Sequence, residues 1–161
     1  SAKTNQVEAD MIAAMVERIF RQADRFDYSA TVGVIVPYRN QIATVRNAID
    51  RYGIPALHSI TIDTVERFQG SQRDYIIYGL TVQQRCQLNF LTDNVFEEDG
   101  TLIDRKLNVA MTRARKHLTI VGNPDILAGS AVYRRLMDFM KSRGCYFNVA
   151  CEKFCAGDFS V

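Results

Sequence analysis

At 161 residues the chain has the length of one domain, enough to bury roughly 70% of its unfolded surface. Its composition is 47% hydrophobic and 24% charged, with no apolar run near the roughly 20 residues that span a bilayer, which excludes disordered, collagenous, coiled-coil and helical membrane classes. The net charge is only +2, but it is carried by 15 Arg and 5 Lys, and the planar guanidinium fork suits phosphate and nucleic-acid contacts.

Residues 5–25 read as a helix. Met11, Ile12, Met15, Val16, Ile19 and Phe20 recur at helical spacing, and Asn5 with Glu8 forms a capping-box pattern. Residues 31–36, TVGVIV, are an unbroken β-branched run and predict a strand buried on both faces. Pro37 stops it. Residues 38–52 are helical again, with Ile42, Val45, Ile49 and Tyr52 on one stripe and Gly53 ending it. A short strand follows at 60–65, a turn at 68–71, and a second buried strand at 74–82. Residues 83–104 show no periodicity and predict a long surface loop. A helix is expected over 105–116, a third buried strand over 117–121, and a last helix over 130–143 with Val132, Leu136, Met137 and Met140 inward. The tail from Cys145 onward has no readable pattern. Strands alternating with helices predict one α/β domain, a parallel sheet with helices on both faces, over residues 1–144, with a C-terminal extension at 145–161.

The first ten residues are polar and do not read as a secretory leader. Four cysteines in a chain this long do not make a disulfide framework, so a reducing compartment is expected, the cytoplasm or, for a protein acting on DNA, the nucleus or nucleoid. Cys145, Cys151 and Cys155 lack the spacing of a zinc site, and His58 and His117 have no partner at metal-ligand spacing, so no metal centre is expected. Charge is patterned locally. An acidic stretch (Asp93, Glu97, Glu98, Asp99, Asp104) precedes a basic one (Arg105, Lys106, Arg113, Arg115, Lys116), which reads either as two solvated faces or as an element that meets phosphate.

Ligands of such sheets bind beyond the carboxyl ends of the strands. Three polar clusters stand out near the strands: Pro37-Tyr38-Arg39-Asn40-Gln41, Thr64-Val65-Glu66-Arg67-Phe68-Gln69-Gly70, and Asn108 to Arg115. No glycine is followed by lysine, so a Walker A phosphate loop is absent, and a Rossmann glycine pattern is absent too. The chain cannot bind and hydrolyse ATP by the P-loop route alone.

Taken in order, these stretches resemble motifs of superfamily 1 helicases, in the 1B branch that includes the nonsense-mediated decay helicase and its DNA-repair relatives. Val32 to Gln41 is similar to helicase motif IV. Thr64 to Asp74 is similar to motif V, and Arg105 to Arg115, running into Ile120 to Pro124, to motif VI. Asn5-Gln6-Val7-Glu8-Ala9 resembles the opening of the same domain, and the likeness covers roughly residues 5–143. The resemblance implies the second of two RecA-like domains of an ATP-dependent DNA or RNA helicase or translocase. The first domain, with the Walker motifs that hold most of ATP and Mg²⁺, would lie upstream. This chain alone is then expected to be inactive. Arg113 is implied as the arginine finger, the catalytic residue, with Gly70 and Gln72 also facing the nucleotide. Pro37, Tyr38 and Thr64 are implied on the single-strand track, and Gln69 as the link between track and nucleotide. The implied partners are single-stranded DNA or RNA and the first RecA-like domain.

Three positions depart from the family pattern. Gln72 stands where a ribose-binding glutamate is usual, Lys106 where a second arginine is frequent, and Val36 where a backbone-contacting threonine is common. The Tyr38 ring either stacks on a base, worth roughly 1–3 kcal/mol, or packs at a helix start. Arg115, two residues beyond Arg113, is expected to point away from it on the same helix and to brace the fold. The alternative to a motor domain is a non-catalytic nucleic-acid-binding or scaffold module that keeps the RecA-like fold.

Overall fold

The computed structural model describes residues 3–68, 71–92 and 95–158. A four-stranded sheet organises the chain, in the order β2 (Thr61–Thr64), β1 (Val32–Val36), β3 (Arg73–Gly79), β6 (Ala114–Val121), with every neighbouring pair parallel. Parallel strands need crossovers, and the connecting helices cover both faces as expected. Along β1, Val32, Val34 and Val36 face α1 (Gln6–Gln22) and α2 (Arg39–Asp50), where they meet Ile12, Val16, Val45 and Ile49. Ile35, with Ile76, Tyr78 and Leu80, faces the other way. There it meets Leu107 and Ala110 of α4 (Arg105–Arg113), Ile126 and Leu127 of α5 (Pro124–Leu127) and Tyr133 of α6 (Ala131–Ser142). Alternation of side chains along each strand thus feeds two cores, one per face.

The structure departs from the sequence expectations at several places. The predicted capping box is half formed. Asn5 Oδ1 accepts from the Glu8 amide at 3.0 Å, but the reciprocal arm is taken by Gln41, whose side chain accepts from Asn5 N and donates to Asn5 O, both at 2.8 Å. The Glu8 carboxylate turns instead to the Thr81 amide, 2.9 Å away. Burial pushes the Glu8 carboxyl up to about 8, against the lowering effect of the Thr81 hydrogen bond.

Gln41 is fully buried and ties the entry of α1 to α2. Its replacement leaves the Asn5 amide without a partner, at about 1–3 kcal/mol, while the Asn5 carbonyl keeps the Ala9 amide at 3.0 Å. Gln41→Ala is therefore expected to lower the melting temperature by roughly 2–12 °C in a thermal scan. An unchanged melting temperature would show that the clamp contributes nothing.

Residues 83–104 are not a plain loop. They hold a 3₁₀ turn (Arg85–Gln87), the short α3 (Leu88–Leu91), and an antiparallel hairpin of β4 (Val95–Glu98) with β5 (Thr101–Asp104). Asp99 and Gly100 close the hairpin with φ of 51° and 77°, the left-handed pair of a type I′ turn. An Asp-Gly pair is a hairpin signal, but Glu97 and Glu98 before it break the apolar alternation that normally accompanies one.

The expected helix over 105–116 stops at Arg113, because Ala114 already pairs with Arg73 in the sheet. Arg115 therefore lies on β6, not on the helix. It donates to Asp74 Oδ1 at 2.9 Å and to the Ala30 carbonyl at 2.8 Å, which braces β6 against β3. On α6 the fully buried residue is Tyr133, while Val132, Leu136, Met137 and Met140 are only half-buried. The Tyr133 hydroxyl donates to Asp104 at 3.1 Å, and Asp104 also caps α4 through the Lys106 amide at 3.0 Å. The tail forms α7 (Cys151–Cys155) against α1, where the Cys151 thiol donates to the Val7 carbonyl.

Candidate nucleotide and nucleic-acid sites

The sequence-predicted residues fall into two clusters at opposite ends of the sheet. The first lies beyond the carboxyl ends of β1 and β2. Pro37 and Thr64 are buried there side by side, at the floor of a cleft of about 490 Å³ that Tyr38, Arg39, Arg67 and Phe90 also line. Thr64 starts a turn: its carbonyl accepts from the Arg67 amide at 3.2 Å and the Phe68 amide at 2.8 Å. The Tyr38 ring is 7% exposed, its hydroxyl donates to the Gln87 carbonyl at 3.3 Å, and it stacks on Phe90 at 4.8 Å between centroids. Of the two readings of Tyr38, the structure thus takes the packed ring at a helix start. The exposed aromatic of this cleft is Phe90, which the sequence reading missed because it sits in a stretch without periodicity.

The second cluster lies at the amino ends of β3 and β6, not at a carboxyl end. Here Arg113 is half-buried and donates through Nε to the Phe68 carbonyl at 3.1 Å. Gln72 donates its side-chain amide to the Thr112 carbonyl, 3.1 Å away. Motifs V and VI are thereby joined at the end of α4. Arg73, also missed by the sequence reading, runs beneath this junction. It is 6% exposed, donates to the Gln72 carbonyl and to Thr61 Oγ1 at 3.0 Å each, and its guanidinium lies 5.5 Å from the Phe68 centroid. Burial, then the neighbouring Arg115 charge, pulls its pKa below the usual arginine range.

Among the described residues, 64–68 run from the first cluster to the Phe68 carbonyl that Arg113 holds, and Gln72 lies in the second. A close approach falls at Gly33, where a Cβ would sit 2.7 Å from Phe68 Cζ, so a side chain there would displace the Phe68 ring. Gln69 and Gly70, expected to link the sites and to approach the nucleotide, lie outside the described residues.

The second cluster has the chemistry of a phosphate contact: a guanidinium and an amide, both donors, at a surface. Its bonded members Arg113, Gln72, Thr112, Phe68 and Arg73 include no carboxylate to hold Mg²⁺. The set fits one side of a triphosphate and not a whole cradle. Among the described residues no group of three or more His, Cys, Asp or Glu is placed to hold a metal ion, and no helix is long and apolar enough to cross a membrane.

Comparison with known proteins bears on the family of the fold. A family profile described as "AAA domain" matches residues 1–125. The chain is 33% identical over 141 residues to the Schizosaccharomyces pombe protein named "Helicase sen1", covering 86% of this chain and 8% of that one. It is 31% identical over 154 residues to Saccharomyces cerevisiae "Helicase SEN1", covering 94% of this chain and 6% of that one. Against S. cerevisiae "ATP-dependent helicase NAM7" it is 28% identical over 145 residues, 88% of this chain and 14% of that one. The chain spans only a small part of the curated relatives it matches. With a profile match over most of its length, an α/β fold built on a parallel sheet, and helicases as its relatives, the chain belongs to the AAA domain family, as a domain of the superfamily 1 helicase type.

Proposed function

We propose that this chain is the second motor domain of an ATP-dependent DNA or RNA helicase or translocase, working with a first RecA-like domain in a longer protein. The observation that carries the reading is the single segment, residues 64–72, that lines the cleft at Thr64, accepts the Arg113 hydrogen bond at Phe68 and holds the end of α4 through Gln72. A strand in the cleft and a nucleotide beside Arg113 would each press on that segment. Pro37, Thr64 and Tyr38 line the strand side. Gln72 and Arg113 face the nucleotide, with Gly70 close to it and Gln69 as the coupling residue.

ATP with Mg²⁺, held mainly by the first domain, supplies the phosphoryl group that is transferred to water. This chain's part is electrostatic. The Arg113 guanidinium leaves the Phe68 carbonyl and binds the phosphate oxygens on which charge develops. Gln72 keeps the end of α4 in place while it does so. The reading puts the protein in the cytoplasm, or with DNA in the nucleus or nucleoid.

The test is ATP hydrolysis by the full-length protein with and without single-stranded DNA and RNA. Hydrolysis stimulated severalfold or more by a strand is the expected outcome, and the better strand identifies the track. Strand binding without any hydrolysis would replace this reading with the scaffold alternative.

A further inference from the structure

We propose that Phe90 is a nucleobase platform: it presents its ring in the cleft beyond β1 and β2 so that an unpaired base of a single strand lies against it. The proposal deepens the track reading above and rests on it. Phe90 is 45% exposed, although its neighbour Leu91 on α3 is fully buried. The ring is held, not dangling. Tyr38 stacks on it with an interplanar angle of 23°, and Lys106, itself 2% exposed, donates to the Phe90 carbonyl at 3.0 Å with its ammonium 4.7 Å from the ring centroid. With both supports in place, Phe90 remains 45% exposed and lines the cleft. Phe139 and Phe147 are more exposed, so exposure alone does not single out Phe90; its place in the cleft and its two supports do.

The chemistry around the ring selects the ligand. Lys3, Arg39 and Arg67 line the same cleft with one carboxylate, Glu66, and Arg67 is paired at its edge with Asp63 at 3.8 Å. A cation-rich groove with a flat apolar ring matches a chain that alternates charged phosphates with flat bases. A paired duplex does not fit, because its bases are stacked inside and cannot reach an exposed ring. The supported ring loses little side-chain entropy on binding, since Tyr38 and Lys106 already hold it.

The 161-residue chain contains no tryptophan, so Phe90→Trp places a single indole reporter in the cleft. Two probes are titrated against it: a short oligo-dT, and an abasic deoxyribose-phosphate strand of the same length. The expected result is that both bind, that oligo-dT quenches the indole emission, and that the abasic strand does not. Oligo-dT affinity should also fall roughly 5- to 150-fold in Phe90→Ala. Phe90→Leu, which keeps apolar packing on Tyr38, should lose affinity like Phe90→Ala, while Phe90→Tyr should retain it. If oligo-dT binds without quenching and Phe90→Ala and Phe90→Leu bind as the wild type does, the platform is wrong and the track reading stands. If the wild-type chain binds neither probe, the track reading itself fails, and the platform with it.

Discussion

Arg113→Ala is expected to reduce strand-stimulated ATP hydrolysis of the full-length protein by 10³- to 10⁵-fold, the range reported for loss of an arginine finger. The reason is that a preorganised guanidinium acts where charge appears in the transition state, and no water molecule replaces it. Two further results should accompany the loss. Affinity for the strand should change little, because Arg113 sits at the amino ends of β3 and β6, while the cleft lies beyond the carboxyl ends of β1 and β2. Folding should change little as well, since the half-buried Arg113 gives up a hydrogen bond to Phe68, worth about 1 kcal/mol, and a long one to Thr112 Oγ1 at 3.5 Å. Arg113→Lys keeps the charge but not the fork, so it should recover only part of the rate. Turnover in Arg113→Ala within tenfold of the wild type would remove the finger assignment.

Glu8 provides the second large effect, on stability rather than on turnover. Its carboxyl is pushed up to about 8 in the fold by burial, from an ordinary 4.5. Between those two pH values the unfolded chain has released the proton and the native chain still holds it. Stability contributed by the neutral group is therefore complete below about pH 4.5 and is lost as pH rises through 8. At 1.36 kcal/mol per pKa unit, the loss is on the order of 4 kcal/mol across the window. Glu8→Gln stays neutral at every pH and can still accept the Thr81 amide. Urea unfolding of both proteins at pH 5 and pH 9 isolates the effect from other titrating groups. The variant should gain on the wild type by about 4 kcal/mol between the two pH values. Parallel stability curves would mean that the native carboxyl ionises as it does in water.

Position 8 also shows how far local pattern reading goes. Asn5 and Glu8 stand at capping-box spacing, and the Asn5 half forms as local chemistry dictates. The Glu8 half does not, because Gln41, 36 residues away, occupies the amide that Glu8 would have taken. Spacing along one helix cannot reveal a competitor from another. The same limit explains Arg115. Its place in a helical stretch was plausible until β3 offered Ala114 a strand to pair with. The hairpin at 95–104 was concealed for a different reason, since its acidic strand lacks the alternation by which a half-buried strand is recognised.

The candidate site divides along the same line. Motif order singled out Arg113, Thr64, Pro37 and Tyr38 as candidate positions, because a few residue types at close spacing carry that signal within one segment. Phe90 carried none: its meaning comes from Tyr38 beneath it and from the cations across the cleft, which lie as much as 87 positions away in the chain at Lys3.

Although the third strand, expected to be buried, is the largely exposed edge strand β6, the sequence by itself determined that there would be parallel strands alternating with helices and that no Walker A pattern is present. These are properties of contiguous runs, governed by side-chain polarity, branching and backbone freedom. Only the tertiary structure decided that the motif residues separate into two clusters, that Tyr38 is buried and Phe90 open, and that Gln41 rather than Glu8 completes the first cap. Those outcomes depend on which distant groups compete for the same hydrogen bond or the same surface, and that competition exists only once the sheet has brought them together.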